Sequence, residues 1–397
     1  MRISRADRSL LAEWWFTFDR VLLSALLVLI ALGLVLSLAG SPAVAIKKGF
    51  APLHFFERHV VFVAAGVVVM LAVSLLSPRG VRRLALVLFV ASLAGMVLVL
   101  LTGEEINGAR RWLRVGSFSL QPSELGKPGL AVLCAWAFAE SERSPQMPAL
   151  PLAVALYAAF VVPLAMQPDV GQAVLVSLVW AALLVLSGHS FKWLAGLGGL
   201  GAVGLGAAYW VFPHVRGRID RYLAPVSGDN SQLDHAFQSF VEGGLLGRGP
   251  GEGTIKLTLP DAHTDFIFAV IAEEYGALMC LAILVLFAVV ALRPLARAIV
   301  TRDPFTRHGL TALALLVGLQ ALINMGVNVG LLPAKGMTLP FISAGGSSTL
   351  AISITCGMLM ALSRRRPDAA SRSPRLNSPG LAAKAATTGS IEGSRIA

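Results

Sequence analysis

The carboxylate best placed for chemistry is Asp265, in the segment Leu259-Pro-Asp-Ala-His-Thr-Asp-Phe266, two residues after His263. It stands where a polar stretch of about fifty residues, far longer than ordinary connections, meets a strongly apolar run. A carboxylate at such a border can take a proton from a hydroxyl. It can equally favour the positive end of a helix that Thr264 caps, and spacing alone leaves both uses open. Glu273 and Glu274 follow two turns into the run, about 12 to 14 Å along a helix. Carboxylates at that depth call for a polar cavity or a cationic partner, and Lys127, three residues from Glu124 on another run, is a candidate counter-charge. Gln320, Asn324 and Asn328 recur at four-residue spacing and share one helix face, which suits either a site or hydrogen bonding between helices.

Other segments offer donors. Asn107-Gly-Ala-Arg-Arg-Trp112 sets Arg110 and Arg111 beside an interfacial tryptophan. Ile342-Ser-Ala-Gly-Gly-Ser-Ser348 supplies the hydroxyls of Ser343, Ser347 and Ser348 with closely spaced N–H groups able to form an anion nest. Arg216, Arg218 and Arg221 form a third cationic cluster, which headgroup anchoring also explains. Gly243 to Gly253 lacks the Gly-Lys-Ser/Thr ending and the preceding strand of a phosphate loop, so it reads as a flexible turn with natural hinges.

The elements that position these groups are membrane helices. The 397 residues are 56% hydrophobic and 14% charged, against about 25% charged in soluble domains, with mean hydropathy +0.73. Apolar runs of spanning length recur from Val21–Leu38 to Leu350–Leu362, with Pro122–Phe138 a weaker tenth. The expected fold is an all-α membrane protein of about ten transmembrane helices, with a long extracytoplasmic loop, 213–264, between helices 7 and 8. Arginines cluster in alternate loops and tails, which puts both termini in the cytoplasm. Residues 1–20 form a short tail, 21–363 the membrane domain and 364–397 a disordered tail too poor in apolar residues to fold. Lys47, Lys48 and Arg58 run against the arginine rule in the first outer loop, where they are outnumbered. The net charge of +11 is explained by topology, so nucleic acid is not an expected partner. Within the long loop, Leu233, Ala236, Phe237, Phe240 and Val241 predict a short amphipathic helix lying on the membrane interface. Cys134, Cys280 and Cys356 show no paired spacing, which indicates neither disulfides nor a metal site.

Taken in order, Asn107–Trp112, Gln121–Lys127, Gln167–Gln172, Arg218–Pro225, Ala262–Gly276 and Leu339–Ser348 resemble the motifs of the SEDS family of shape, elongation, division and sporulation proteins. Lys335-Gly-Met-Thr-Leu-Pro340 looks like the division branch rather than the elongation branch, and Ala344 stands where the family usually carries tyrosine. The resemblance implies a ten-helix peptidoglycan glycosyltransferase of the inner membrane that polymerises lipid II for septal wall synthesis and releases undecaprenyl diphosphate. Asp265 matches the family's catalytic aspartate. Arg110, Arg111, Lys127, Arg216, Arg218, His263, Lys335, Ser343, Ser347 and Ser348 are then expected to bind substrate. No covalent cofactor is implied, and arginines or a divalent cation, Mg2+ or Mn2+, would neutralise the departing diphosphate. Implied partners are a class B penicillin-binding transpeptidase, other division-complex membrane proteins and membrane lipid. The alternatives are a lipid II flippase, with Lys127 and Glu124 on its path, an elongation polymerase and a division scaffold without chemistry.

Overall fold

The computed structural model describes residues 9–105, 109–116, 118–144, 146–189, 191–213, 216–217, 220, 232–333 and 336–365. The chain divides into Met1–Arg364 and Arg365–Ala397, and every described element lies in the first unit. The tail expected to be disordered falls outside the described residues beyond Arg365.

A short α1 (Leu10–Thr17) precedes the long helices α2 (Arg20–Lys47), α3 (His54–Ser74) and α4 (Pro78–Thr102). An antiparallel hairpin of β1 (Leu113–Val115) and β2 (Phe118–Leu120) pairs Leu113 with Leu120. Then come α5 (Pro122–Arg143), α6 (Ala149–Met166), α7 (Val170–Leu186) and α8 (Phe191–Val211). The remainder is α9 (Gln232–Gly243), a 3-10 turn at Ile255–Leu257, α10 (Ile267–Val300), α11 (Pro304–Asn328) and α12 (Gly346–Leu362). Local chemistry sets several starts. Asp19 caps α2 by accepting from Val21 and Leu22, Ser77 caps α4 ahead of Pro78, and Asp303 caps α11 ahead of Pro304.

Each apolar run of the sequence is a helix. Six of them, α2, α3, α4, α6, α10 and α11, are long and apolar enough to cross a membrane by length and composition. α7 and α12 are apolar but shorter, the apolar stretch of α8 is confined to Gly198–Val211, and α5 carries Glu124 and Lys127 in its first turns. Packing ranks them differently. α11, α5 and α12 are buried along most of their length, whereas α3, α4 and α6 leave most of theirs unburied, as lipid-facing helices do.

The glycine-rich segment after α9 differs from expectation. α10 breaks at Gly276 (φ 79°, ψ 176°), which opens two bonds of its helical ladder. The carbonyls of Glu273 and Glu274 accept instead from Arg248 N (2.9 Å) and Gly249 N (3.0 Å). Ala277 N and Leu278 N donate to the carbonyls of Gly244 and Leu245 (2.9 and 3.2 Å). A Cβ on Gly243 would come within 1.9 Å of the Ala272 carbonyl, and one on Gly276 within 2.3 Å of the Leu245 carbonyl. Gly243, Gly247 and Gly276 serve close approach, and the segment is pinned to α10 rather than free to hinge.

The two carboxylates complete the docking. Glu273 Oε1 accepts from the backbone N–H of Thr254 (2.6 Å) and Ile255 (2.8 Å), and Oε2 from that of Lys256 (3.2 Å). Glu274 accepts from Gly251 N (3.0 Å) and is ion-paired with Lys256 Nζ. The counter-charge of Glu274 is therefore Lys256, while Glu273 is met by backbone donors and Lys127 pairs with Glu124 at 2.9 Å. α9 packs inward through Ala236, Ser239 and Gly243, and leaves Phe237 and Val241 exposed together with Leu245 and Leu246. That apolar edge suits an interfacial helix.

Replacing Glu273 by leucine strands three donors, at about 1–3 kcal/mol each when buried. Glu273→Leu should speed hydrogen exchange at Thr254, Ile255 and Lys256 while the amides of α5 and α12 stay protected. Unchanged exchange at those three amides would sink this account.

Candidate active site

The turn that carries Asp265 is held by its carbonyls. His263 O accepts from Ala344 N (2.9 Å), Thr264 O from Ser343 Oγ (2.6 Å), and Asp265 O from the side-chain amides of Asn324 (3.0 Å) and Asn328 (2.9 Å). Asn328 Oδ1 in turn accepts from Ala269 N (3.1 Å) in the first turn of α10. Three successive carbonyls with tertiary partners fix the backbone beneath the Asp265 side chain. That side chain is partly exposed, and a Cβ on Gly336 would lie 3.3 Å from its Oδ2.

Two helices measure the depth of this turn. Along α2, Arg20 is about 30 Å from Gly40, where a Cβ would lie 2.9 Å from the Ala262 carbonyl. Along α11, Arg307 is again about 30 Å from Asn328. With arginines marking one border of a hydrocarbon layer about 30 Å thick, Asp265 sits at the opposite border. Glu273 and Glu274 then lie inside the layer, and the glycine segment dips in to meet them.

Next to the turn runs a buried polar network. Lys127 Nζ contacts Glu124 Oε2, Gln172 Oε1 and Gln320 Oε1, each at 2.9 Å. Gln172 also donates to Glu124. Gln320 passes the network on to Thr338 O (3.2 Å), and Asn324 donates to Met337 O (2.6 Å) as well as to Asp265 O. Toward the hairpin, Gln121 donates to Asp169 Oδ2 (3.1 Å), and Arg111 Nε donates to Gln167 O (3.2 Å) and lies 3.8 Å from Asp169. Burial pushes the Asp169 carboxyl up, and Arg111 opposes the shift. The amides of α11, which the sequence left between site and glue, join this network to the Asp265 turn.

The remaining candidates separate. Arg110 is half-exposed, 3.7 Å from Glu105. Ser343 accepts from Leu339 N and donates to Thr264 O, Ser347 Oγ accepts from Gln121 N (3.4 Å), and Ser348 bonds Thr338 Oγ1. Their hydroxyls tie the Leu339–Ser348 segment to the turn and to α5. Arg216 is exposed beside Asp220 (3.5 Å) and over the Tyr209 ring. Arg218 and Lys335 lie outside the described residues.

His263 is buried against Phe55, with ring centroids 4.4 Å apart, and its Nδ1 has no hydrogen-bond partner among the described residues. Burial, helped by the positive charge of Lys48, lowers its pKa to about 4. Motif reading missed Lys48 and Phe55. The signal was present in the basic residues that break the arginine rule between α2 and α3.

A polar, membrane-border carboxylate on a bundle of apolar helices defines the class as an integral membrane protein with a site at one face. The family model FTSW_RODA_SPOVE, described as "Cell cycle protein", matches residues 19–367. A protein of Caulobacter vibrioides (strain NA1000 / CB15N), "Probable peptidoglycan glycosyltransferase FtsW", is 45% identical over 92% of this chain and 94% of its own. A protein of Halorhodospira halophila with the same name is 35% identical over 89% and 93%. Among solved structures, a chain from "Structural coordination of polymerization and crosslinking by a peptidoglycan synthase complex" superposes with TM-score 0.71 at 30% identity, covering 87% of this chain and 97% of that one. The Thermus thermophilus rod shape determining protein RodA superposes at 0.65 with 28% identity, covering 88% and 97%. The chain belongs to the FtsW/RodA/SpoVE family.

A histidine whose pKa is lowered on folding adds stability that is full above its unfolded value of 6.5 and is lost as pH falls toward about 4. Thermal unfolding of the parent should therefore weaken over that window relative to His263→Gln, by an amount on the order of a few kcal/mol. Parallel pH profiles for the two proteins would refute it.

Proposed function

We propose that this protein is a peptidoglycan glycosyltransferase that polymerises lipid II on the outer face of the inner membrane for septal wall synthesis, with Asp265 as its general base. The observation that carries the reading is the partly exposed Asp265 carboxylate at the membrane border, on a turn whose three carbonyls are clamped. The arginine-rich border is cytoplasmic in this reading, with both termini, and the Asp265 border faces outward.

In the reaction, a sugar hydroxyl of one lipid-linked unit attacks the anomeric carbon of another. Its proton passes to Asp265 as the carbon–oxygen bond to diphosphate breaks, and undecaprenyl diphosphate leaves as an anion that needs no general acid. A second carboxylate of the glycosidase kind has no part. Positive charge near the turn stabilises the leaving group. A helper cation was also expected, yet no cluster of three or more His, Cys, Asp or Glu side chains suited to a metal occurs among the described residues.

The flippase reading would place Lys127 on a path through the membrane. Its ammonium has three donors and three partners at 2.9 Å, an arrangement suited to a fixed scaffold more than to a moving charge. A class B penicillin-binding transpeptidase is the proposed partner, because cross-linking needs a catalytic domain that the 213–264 loop is too short to supply. The multi-subunit source of one structural neighbour supports that pairing.

Asp265→Asn keeps the shape of the side chain but removes the basic oxygen, so kcat for ladder formation from labelled lipid II should fall about 10²- to 10⁴-fold. Expression and membrane insertion should stay at parent levels. Ladders at the parental rate would reduce Asp265 to a helix-start residue, and transfer of lipid II between leaflets without ladders would select the flippase.

A further inference from the structure

Lys47 at the end of α2, Lys48 just after it and Arg58 in the first turns of α3 stand at the Asp265 border, where charge topology gives cations no purpose. None of the three is ion-paired among the described residues, and all are exposed. Lys48 Nζ stands 5.7 Å from the Phe55 ring centroid, within cation–π reach. Phe55 touches His263 in turn, while His54 stacks on Phe50 at 4.6 Å and meets Phe55 edge-on at 5.3 Å. A run of rings therefore joins Lys48 to the turn of Asp265, and Phe50, 48% exposed, presents an open aromatic face at the border.

The opposite flank of the turn is built differently. There Arg111 is held by two backbone carbonyls beside Asp169, and Lys127 has all its donors bonded inside the protein. Joining two lipid-linked sugars brings two diphosphates to one base, so charge must be available on both sides of Asp265. We propose that Lys48, with the Phe50 and His54 rings, forms a second substrate subsite that takes the diphosphate and the adjoining apolar or sugar face of one of the two lipid-linked units. The ammonium supplies a compact charge for phosphate oxygens, and the rings supply a flat apolar surface. This assignment rests on the polymerase reading.

A phosphate-bearing lipid at this position is either the substrate or an anionic phospholipid, and the test separates the two. Full-length parent, Lys48→Gln and Lys48→Arg are placed in nanodiscs of phosphatidylcholine alone and with phosphatidylglycerol. Binding of undecaprenyl diphosphate and the KM for lipid II are measured in each. Lys48→Gln should weaken binding and raise KM about tenfold in both membranes, the scale of one charged hydrogen bond, while kcat stays within about twofold. Lys48→Arg should restore most of both. Parental binding and KM in a Lys48→Gln protein that unfolds at the parental temperature would overturn the subsite. An effect seen only with phosphatidylglycerol would overturn it too, in favour of headgroup anchoring. A parent that binds undecaprenyl diphosphate through Lys48 yet makes no glycan would sink the polymerase reading and keep the subsite.

Discussion

Irregular backbone at membrane depth must find its hydrogen bonds inside the protein, and that constraint organises the site half of this molecule. The segment from Gly243 to Lys256 enters the layer without a helix of its own. Its N–H groups find partners because α10 opens two rungs at Gly276 and because Glu273 and Glu274 turn their oxygens toward it. Two buried carboxylates would be costly alone. Here five backbone N–H groups or ammonium donors surround them, so the charge and the unsatisfied backbone offset each other.

Docking of that segment sets where the chain can rise to the Asp265 turn. From Lys256 to Phe266 only a 3-10 turn and two tight bends remain, and the end of the path is gripped from the other side by α11 and by Leu339–Ser348. The amides of Asn324 and Asn328 belong to a well-buried helix, so their positions follow from packing against α5, α10 and α12 rather than from the loop. Asp265 is thus placed by rigid elements, which would hold the geometry of the proposed base better than a free loop.

Much of this was legible before any coordinates. Hydropathy located each long helix because a membrane span needs an unbroken apolar run, and the order of motifs located Asp265. The four-residue spacing of Gln320, Asn324 and Asn328 announced a polar face, although only packing decides which carbonyls that face meets. Gly243 to Gly253 misled because glycine has two uses, freedom and close approach, and composition cannot tell them apart. The partner of Glu274 was hidden for a similar reason: Lys256 sits in a loop whose return into the membrane carries no hydrophobic signature.

Sequence also ranks cations by type alone, and the structure ranks them by how many of their donors are already bonded. Lys127 and Arg111 fall in recognised motifs, yet their hydrogen bonds end on protein groups, so moving either toward a ligand would strand buried acceptors. Such residues are held in place by the protein's own groups. Lys48 lies in no motif, remains exposed and still reaches His263 with its field. On the proposed reading, a cation near Asp265 with open donors can respond to an incoming phosphate at no structural cost, and that difference in saturation, more than motif membership, separates charges fixed within the protein from those free to meet a ligand.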